Sequence, residues 1–337
     1  MRHEAMLWEK TAGGRVRCLL CAHNCVIDSG EFGFCGVRQN IDGSLFTCTY
    51  GNAVAKNIDP IEKKPLYHFL PGSNSYSIAA AGCNFRCGFC QNWSISQLSA
   101  EDGDKKNGYE LTPDDIVKEA ADNGCKSISY TYTEPTVFFE YAYDTAVIAK
   151  KNGLYNIFVT NGFMTGKAID AIGPWLDAAN VDLKFFSDET YRKVCRGRLG
   201  PVLESIKHMK NAGIHLEITT LVVPGLNDSA EELRGIASFI AGLDKGIPWH
   251  ISRFHPDYMR TDLLPTPVKT LESAKKTGEE EGLEYIYLGN VYPGGDTVCP
   301  GCKSVLIWRS GFTATKTGFF SGKGRCLRCG TVISGSW

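Results

Sequence analysis

The chain has 337 residues, of which 43% are hydrophobic and 22% are charged, and its net charge is −1. This composition is ordinary for a globular protein of one large domain with additions, or of two domains, and it gives no support for nucleic acid or an anionic membrane as an obligatory partner. No apolar run reaches the roughly 18 residues of a membrane span, and Met1 to Lys10 contain no signal-peptide core. The sequence therefore predicts a cytoplasmic protein.

The fourteen cysteines are unusual for a chain of this length. In a reducing compartment, cysteines are expected to bind metals before they form disulfides. Their spacing separates three groups of closely placed cysteines from three isolated ones, which are Cys48, Cys125 and Cys195.

Residues 1–40 contain the first group, spaced C-x2-C-x3-C-x9-C. Four thiolates at this density can close a full metal site, and both zinc and a fully ligated [4Fe–4S] cluster accept four sulfurs. We favour zinc and keep the cluster as the alternative, with four unligated buried cysteines as a third interpretation. Because large apolar residues are sparse in this segment, we expect it to need its metal to fold. The predicted ligands are Cys18, Cys21, Cys25 and Cys35.

Residues 41–74 are predicted to be a connector between this module and the main domain. Leu45 to Tyr50 could pair as a strand, whereas three prolines between Asp59 and Gly72 argue against regular structure there. Lys63 and Lys64 lie within this proline-rich segment. They either meet an acidic substrate or partner, or belong to a solvated loop.

From residue 75 to 292, apolar and β-branched runs alternate with amphipathic stretches, which is typical of parallel βα units. Thr112 followed by Pro113 predicts the start of one of the helices. About six such units predict an α/β protein whose main domain is a partial (β/α)6 TIM-like barrel, with its active site at the carboxyl ends of the strands. The predicted strands are 75–81, 127–132, 155–160, 179–185, 214–223, 248–254 and 284–288.

Directly after the first of these strands, Cys83, Cys87 and Cys90 are spaced C-x3-C-x2-C. Three thiolates leave one iron of a [4Fe–4S] cluster without a protein ligand, and that iron could bind the amino and carboxylate groups of a methionine-like ligand. A zinc knuckle that lacks one ligand is the alternative. The motif, with Phe89 before its last cysteine, resembles the cluster loop of the radical S-adenosylmethionine (SAM) superfamily. The resemblance implies a [4Fe–4S] cluster, bound SAM and 5'-deoxyadenosyl radical chemistry.

Polar residues at the ends of the later strands are the candidates for the rest of the site. Thr133 and Glu134 could accept the ammonium group of an amino-acid-like ligand, or could cap the helix that follows. The other strand ends resemble the branch that contains pyruvate formate-lyase activating enzyme. This implies that Lys184 contacts the methionine carboxylate, that His255 contacts the ribose or nearby groups, and that Asp182 belongs to a monovalent-cation site beside SAM. The candidate residues are Thr133, Glu134, Thr160, Asn161, Asp182, Lys184, Arg253 and His255.

Two further candidates come from the middle of the predicted barrel. Glu217, in the fifth strand, could be a carboxylate of the pocket. Cys195 lies among the cations of the segment Arg192 to Arg198, which is predicted to lie at the barrel mouth, and cations lower the pKa of a thiol. Cys195 is therefore a candidate hydrogen-atom donor or ligand, with a surface thiol as the alternative, and together with Lys184 it is a candidate catalytic residue.

Residues 293–337 interrupt the βα pattern. Pro293-Gly294-Gly295 is predicted to be a hinge, and two C-x2-C pairs follow it. Paired knuckles of this kind predict a zinc ribbon, with rubredoxin-like iron as the alternative. The predicted ligands are Cys299, Cys302, Cys326 and Cys329.

About residues 15–295 resemble one family in particular, the AmmeMemoRadiSam system radical SAM proteins. The resemblance rests on the N-terminal cysteines, the segment Asp59 to Leu66, the cluster loop with Gln91 and Asn92, and Asn180 to Phe185. It implies Memo-like and AMMECR-like proteins as companions, and the chemistry implies an electron donor such as ferredoxin or flavodoxin.

The sequence predicts a small or anionic substrate, because cations and the two cysteine modules crowd the predicted mouth. Activation of a glycyl-radical protein and transfer of an aminocarboxypropyl group from SAM are alternative reactions. A non-catalytic scaffold that binds partners through its zinc modules is the alternative from another class, although an open iron would be of no use to it.

Overall fold

The computed structural model describes residues 2–97, 108–291 and 295–337. Strands run throughout these ranges, and the short ones are concentrated near both ends of the chain. They are β1 His3–Glu4, β2 Trp8–Lys10, β3 Val16–Cys18, β4 Val26–Ile27, β5 Arg38–Ile41, β6 Ser44–Thr47, β7 Asn52–Ala53, β8 Ala55–Pro60, β9 Asn74–Ala79, β10 Tyr109–Glu110, β11 Ser127–Tyr130, β12 Tyr155–Thr160, β13 Ala178–Asp182, β14 His215–Val222, β15 Trp249–Arg253, β16 Ile286–Gly289, β17 Thr297–Val298, β18 Val305–Ser310 and β19 Thr313–Lys316.

The main sheet has eight strands in the order β16-β15-β14-β13-β12-β11-β9-β8. The pairs from β9 through β16 are all parallel, and β8 pairs antiparallel with β9 at the edge. The α/β class and the partial barrel with a parallel sheet are therefore confirmed, with seven parallel strands in chain order. Parallel pairing places all of their carboxyl ends at one edge of the sheet.

Helices connect successive parallel strands and cover the outer face of the sheet. The predicted start at Thr112 is confirmed, because its side chain and that of Asp115 form a reciprocal capping box and Pro113 occupies the first turn. The helices are α1 Trp93–Ser96, α2 Pro113–Asp122, α3 Phe139–Lys151, α4 Gly166–Ile172, α5 Asp188–Thr190, α6 Leu199–Asn211, α7 Ala230–Leu243 and α8 Val268–Glu280. No helix in these described ranges is long and apolar enough to cross a membrane.

The connector contains more regular structure than its prolines suggested. β8 reaches Pro60, and a 3-10 helix follows at Ile61–Lys63. The prediction of irregular structure was wrong at this point because β8 is an edge strand, and its terminal proline pairs with Asn74 at the end of the ladder. The predicted strand near Leu45 is present as β6, which pairs with β1 and β5.

The N-terminal segment forms two small antiparallel sheets, β2-β3-β4 and β1-β6-β5. One of its anchors to the barrel is the buried Arg38, whose guanidinium forms two hydrogen bonds of 2.9 and 2.8 Å with the carboxylate of Glu140. A buried pair of this kind fixes one docking geometry, since displacement of either partner would leave an uncompensated charge.

The C-terminal segment is a three-stranded antiparallel sheet, β17-β18-β19. Its Arg309 is buried and donates hydrogen bonds to the carbonyl of Tyr67 at 2.7 Å and to Thr297 at 2.6 Å. The guanidinium also lies over the Tyr67 ring, 4.2 Å from the centroid. The sheet is thus attached to the segment just before the first parallel strand. Of the predicted hinge, Pro293 and Gly294 lie outside the described residues.

Candidate active site at the carboxyl ends of the strands

A cavity of about 840 Å³ lies at the carboxyl ends of the parallel strands, and ligand sites usually measure roughly 300–1,000 Å³. Its wall is built by the loop after β9, by the ends of the later parallel strands and by the β18–β19 hairpin. Active sites of parallel barrels occupy this end. The predicted site residues that line it are Cys83, Cys87, Phe89, Cys90, Thr133, Glu134, Thr160, Asn161, Asp182 and Lys184.

The loop that carries the three cysteines is fixed by its own backbone and by neighbouring polar groups. The backbone N–H of Phe85 lies 3.4 Å from Cys83 Sγ, and that of Cys90 donates to the carbonyl of Cys87 at 3.2 Å. Arg86 donates to the Cys83 carbonyl at 2.8 Å. These contacts hold the loop in a conformation in which all three cysteines line the cavity.

The thiols are held in their protonated form when no metal is present. Burial raises the pKa of Cys83 and of Cys90. The pKa of Cys87 is raised by its contact with the Cys195 thiol and then by burial. Because a metal binds the thiolate, loading of this site must release protons.

Glu134 joins two neighbouring strand ends. Its buried carboxylate accepts hydrogen bonds from Thr160 Oγ1 at 2.7 Å and from the backbone N–H of Asn161 at 2.8 Å, and it also caps the short helix that begins at Pro135 through the N–H of Thr136. Burial raises its pKa, although these donors favour the charged form. Glu134 thus both caps the following helix and lies in the cavity wall.

Asp182 and Lys184 follow β13 and form a salt bridge of 2.8 Å in the cavity wall. Burial would lower the pKa of Lys184, but the Asp182 carboxylate and the nearby Cys87 thiol raise it well above its ordinary value. Lys184 therefore keeps its positive charge beside the three cysteines.

Three predicted pocket residues lie outside the described cavity lining. Glu217 is fully buried behind it, where it accepts hydrogen bonds from the backbone N–H groups of Tyr67 and His68 and from a histidine, His250, that does line the cavity. Arg253 donates to the carbonyl of Thr266 at 2.8 Å, and His255 is exposed. Their assignment to the pocket is not supported by this geometry.

The segment around Cys195 lies against the three-cysteine loop, since the backbone N–H of Arg86 donates to the Cys195 carbonyl at 2.9 Å, but it is not part of the described cavity lining. Cys195 is fully buried, with its sulfur 3.3 Å from that of Cys87, so it is not a surface thiol. Arg192 bonds to Asp188, and Arg198 reaches the carbonyl of Ala22 in the N-terminal segment. Among the described residues, none from Arg192 to Arg198 lines the cavity.

The lysines before the first parallel strand do line the cavity. Lys64 is buried and forms a 2.5 Å salt bridge with Asp59, so a solvated loop is excluded for it, and Lys63 bridges the other oxygen of Asp59 at 2.9 Å. Burial lowers the pKa of Lys64 to about 8, against the opposing effect of Asp59.

Sequence patterns missed several residues of the cavity wall. Thr219, His250 and Phe312 line it. The buried hydroxyl of Thr219 has no hydrogen-bond partner in the described structure, so it is available to a ligand. The alternation of β14 could have indicated Thr219, whose side chain faces the same way as that of Glu217. No local signal places Phe312, which comes from the C-terminal hairpin.

These residues fit the cofactors that the sequence implies. Cys83, Cys87 and Cys90 are the cysteines among the described lining residues, so three sulfur ligands face a cavity that is large enough for a further ligand. Lys184 and the unpartnered Thr219 hydroxyl provide polar contacts for it. In the C-terminal module, the sulfurs of Cys299, Cys302, Cys326 and Cys329 all lie within 4.8 Å of one another and could hold a metal ion.

Comparison with known proteins agrees with this geometry. The sequence profile of the Radical SAM superfamily matches residues 77–240. An uncharacterized protein of Methanocaldococcus jannaschii is 46% identical over 333 residues, which cover 98% of each chain. The pyruvate formate-lyase-activating enzyme of Clostridium pasteurianum is 24% identical over 48% of this chain and 67% of its own length.

The fold is also similar to that of a solved superfamily member. The crystal structure of a radical SAM methyltransferase from Sphaerobacter thermophilus superposes with a TM-score of 0.52 at 16% identity, covering 65% of this chain and 67% of the methyltransferase. The three-cysteine loop, its position after the first parallel strand and the matched profile lead to one assignment. Residues 77–240 carry the match to the radical SAM superfamily, and the chain is an enzyme that is similar in sequence to the pyruvate formate-lyase activating enzymes.

Proposed function

We propose that this enzyme reductively cleaves SAM and uses the resulting radical to abstract hydrogen from a small, anionic substrate. The observation that carries the proposal is the set of three cysteines, Cys83, Cys87 and Cys90, facing a cavity lined by cations. When bound there, a [4Fe–4S] cluster supplies the electron that breaks the sulfonium bond of SAM to give methionine and a 5'-deoxyadenosyl radical.

The polar residues of the wall suit the amino-acid end of SAM. Lys184, whose charge is secured by Asp182, is the proposed partner of the carboxylate. Glu134 Oε2 accepts one hydrogen bond among the described contacts, from the N–H of Asn161, and thus keeps a lone pair for the ammonium group. In this proposal Thr133 and Thr160 position the strand ends on either side of Glu134, and Phe89 and Leu288 contribute apolar surface.

The other wall of the cavity suits an anion. Lys63 and Lys64 line it, although Asp59 neutralises part of their charge. The C-terminal hairpin brings Gly311 and Phe312 to the lining of the same cavity, which narrows the space for a polypeptide. Exclusion of water by such cover protects a reactive intermediate from side reactions.

A protein substrate is the second candidate function. It is favoured by the sequence similarity to pyruvate formate-lyase-activating enzyme, and it would require the chain to admit a loop of a glycyl-radical protein. Membership in the AmmeMemoRadiSam family, with Memo-like and AMMECR-like partners, remains part of the proposal, as does a ferredoxin or flavodoxin as the electron donor.

The reaction is tested by anaerobic reconstitution with iron and sulfide, followed by SAM, dithionite and mass spectrometry. We expect 5'-deoxyadenosine and methionine from the wild type and none from Cys87→Ala, whereas the matched control Cys125→Ala, which changes a buried cysteine outside the three groups, should retain production. Undiminished 5'-deoxyadenosine from Cys87→Ala would refute the proposal. Methylthioadenosine as the main product would instead indicate transfer of the aminocarboxypropyl group.

The substrate class is tested by adding fractionated cell extract and following 5'-deoxyadenosine formation. We expect stimulation by the low-mass fraction that an anion exchanger retains, and a loss of that stimulation in Lys64→Met. The matched control is Lys245→Met, which removes a lysine outside the described cavity lining. Stimulation by the protein fraction alone would establish the second candidate function.

A further inference from the structure

The two groups of four cysteines differ in how closely their sulfurs approach. In the C-terminal module, Cys299 and Cys329 are separated by 3.5 Å between sulfurs, and Cys302 and Cys326 by 3.6 Å. A tetrahedral zinc ion with Zn–S bonds of about 2.3 Å places its sulfurs about 3.8 Å apart. The spacing of the C-terminal module is therefore that of a site for a single ion.

The N-terminal group surrounds a common cavity but is more widely spaced. Its sulfur-bearing residues line a small, mainly apolar space together with Leu20, Ile27, Phe34 and Val137. Within the part of the chain that the structure describes, no three of these sulfurs lie within 4.8 Å of one another, which is also true of the three cysteines of the active site. A four-iron cluster places its own iron and sulfide atoms between its ligands, so their sulfurs stand further apart than around one ion. The four residues are Cys18, Cys21, Cys25 and Cys35.

A buried hydrogen-bond donor beside this cavity has no partner. Arg38 is 2% exposed and lines the same space. Its terminal nitrogens bond to Glu140 and to the carbonyl of Met6, whereas its Nε–H has no acceptor in the described structure. An unsatisfied buried donor on a charged group is costly. A centre held by four thiolates is negatively charged and offers a strong acceptor to Arg38, whereas protonated thiols are neutral and only weak acceptors.

We propose that Cys18, Cys21, Cys25 and Cys35 hold a second [4Fe–4S] cluster, whereas the C-terminal module holds zinc. The wider sulfur spacing distinguishes the cluster from zinc, and the unpartnered Arg38 distinguishes an occupied site from free thiols. Four protein ligands leave no iron open, so this cluster cannot bind SAM as the active site does and serves to store and transfer an electron.

The second site adjoins the active-site loop directly. Gly82, the residue before Cys83, packs so tightly that an added Cβ would lie 3.1 Å from the carbonyl oxygen of Cys35 and 2.8 Å from Val37. His23, between two of the N-terminal cysteines, bonds to the carbonyl of Asn84 at 2.8 Å. The cluster is thus placed to accept one electron from a low-potential donor of the ferredoxin or flavodoxin class and to pass that one electron to the neighbouring site.

The decisive experiment removes the active-site cysteines and asks whether iron remains. The variant C83S/C87S/C90S, reconstituted anaerobically, is expected to retain about four iron and four sulfide per chain, with one zinc and the EPR signal of a reduced [4Fe–4S] cluster. A variant with no iron and about two zinc per chain would overturn the inference. One zinc with neither iron nor a second zinc would also overturn it, since the N-terminal site would then hold no metal.

A second variant tests the assignment by removing two of the proposed N-terminal ligands. In C21S/C25S, we expect the iron and sulfide content to fall to half, and a reductive titration to consume one electron per chain where the wild type consumes two. Cys125→Ser, the matched control, should keep the full content, and a far-UV circular dichroism spectrum equal to that of the wild type shows that the chain is folded. Unchanged iron in C21S/C25S would contradict the proposal. Because the triple variant has no active-site cluster, its iron content is independent of whether the proposed reaction is correct.

Discussion

Replacement of Glu217 by glutamine is expected to destabilise the wall behind the cavity. The carboxylate is fully buried and accepts four hydrogen bonds, two on each oxygen. Oε2 accepts from the backbone N–H of Tyr67 at 3.0 Å and from the His250 ring at 2.6 Å. Oε1 accepts from the backbone N–H of His68 at 2.7 Å and from the His215 ring at 3.2 Å.

Glutamine can accept hydrogen bonds on one of these two positions only, because its amide nitrogen is a donor. A histidine facing the amide can change its tautomer, but a backbone N–H cannot, so one N–H becomes a buried donor without an acceptor. Such a group costs about 1–3 kcal/mol, and the remaining bonds lose the strength that the charge provided. Relief of the carboxylate's desolvation offsets part of the loss, so we expect the free energy of unfolding to fall by about 3 kcal/mol.

The assay is denaturant unfolding of the metal-loaded protein, followed by tryptophan fluorescence. Glu9→Gln is the matched control, because Glu9 pairs with Arg17 at 2.9 Å with both side chains about half exposed, and exposed pairs contribute about 0–1 kcal/mol. If Glu217→Gln unfolds within about 1 kcal/mol of the wild type, the four-donor network does not stabilise the protein as argued.

Glu217→Gln is also expected to change how the free energy of unfolding depends on pH in the acid range. Burial would raise the pKa of Glu217, but hydrogen bonds from His215 and His250 outweigh it and hold the pKa well below the ordinary 4.5. A carboxyl group with a lowered pKa contributes stability that is present above 4.5 and is lost as the pH falls toward the pKa of the folded state. Glutamine does not titrate, so the difference between variant and wild type should narrow below pH 4.5 in the same assay.

Three further changes have defined outcomes. Gly82→Ala places a Cβ 2.8 Å from Val37 at a φ of +97°. We therefore expect the free energy of unfolding to fall by about 1–3 kcal/mol and the iron content after gel filtration to be lower. The control Gly124→Ala, where the added Cβ meets nothing within 4 Å, should retain its iron. Arg309→Lys loses the stacked contact with Tyr67, which should lower stability by about 2–4 kcal/mol and speed the release of zinc to a chelator; an unchanged release rate would contradict this. Because burial lowers the pKa of Lys64 to about 8, its positive charge is present below that pH and is lost above it. Sulfate binding measured by calorimetry should therefore weaken about tenfold between pH 8 and 9.5 in the wild type, and a flat profile would argue against an anion site.

Much of the fold was predictable because its signals are local. Strand runs, the Thr112 cap and the C-x3-C-x2-C loop each depend on residues within one turn or one strand of each other. β8 was missed because its signal is not local. It pairs with a strand that follows a proline-rich segment, and its one proline, Pro60, lies at the end of the ladder, where it costs no hydrogen bond.

The sequence by itself determined the superfamily, the parallel α/β architecture and the grouping of cysteines. Motif spacing and hydrophobic period are visible in the sequence whether or not the tertiary contacts of each residue are known. Only the tertiary structure decided what the individual polar residues contact. Glu217 meets the backbone of Tyr67 across 150 positions of sequence, and Arg309 meets the carbonyl of Tyr67 across 242. Only the structure also shows that Cys195 is buried against Cys87, which is 108 positions away, and that the sulfurs of the two four-cysteine groups differ in spacing. A local pattern specifies which face of a strand is buried, but the free energy of a buried charge depends on groups that only the folded chain brings beside it.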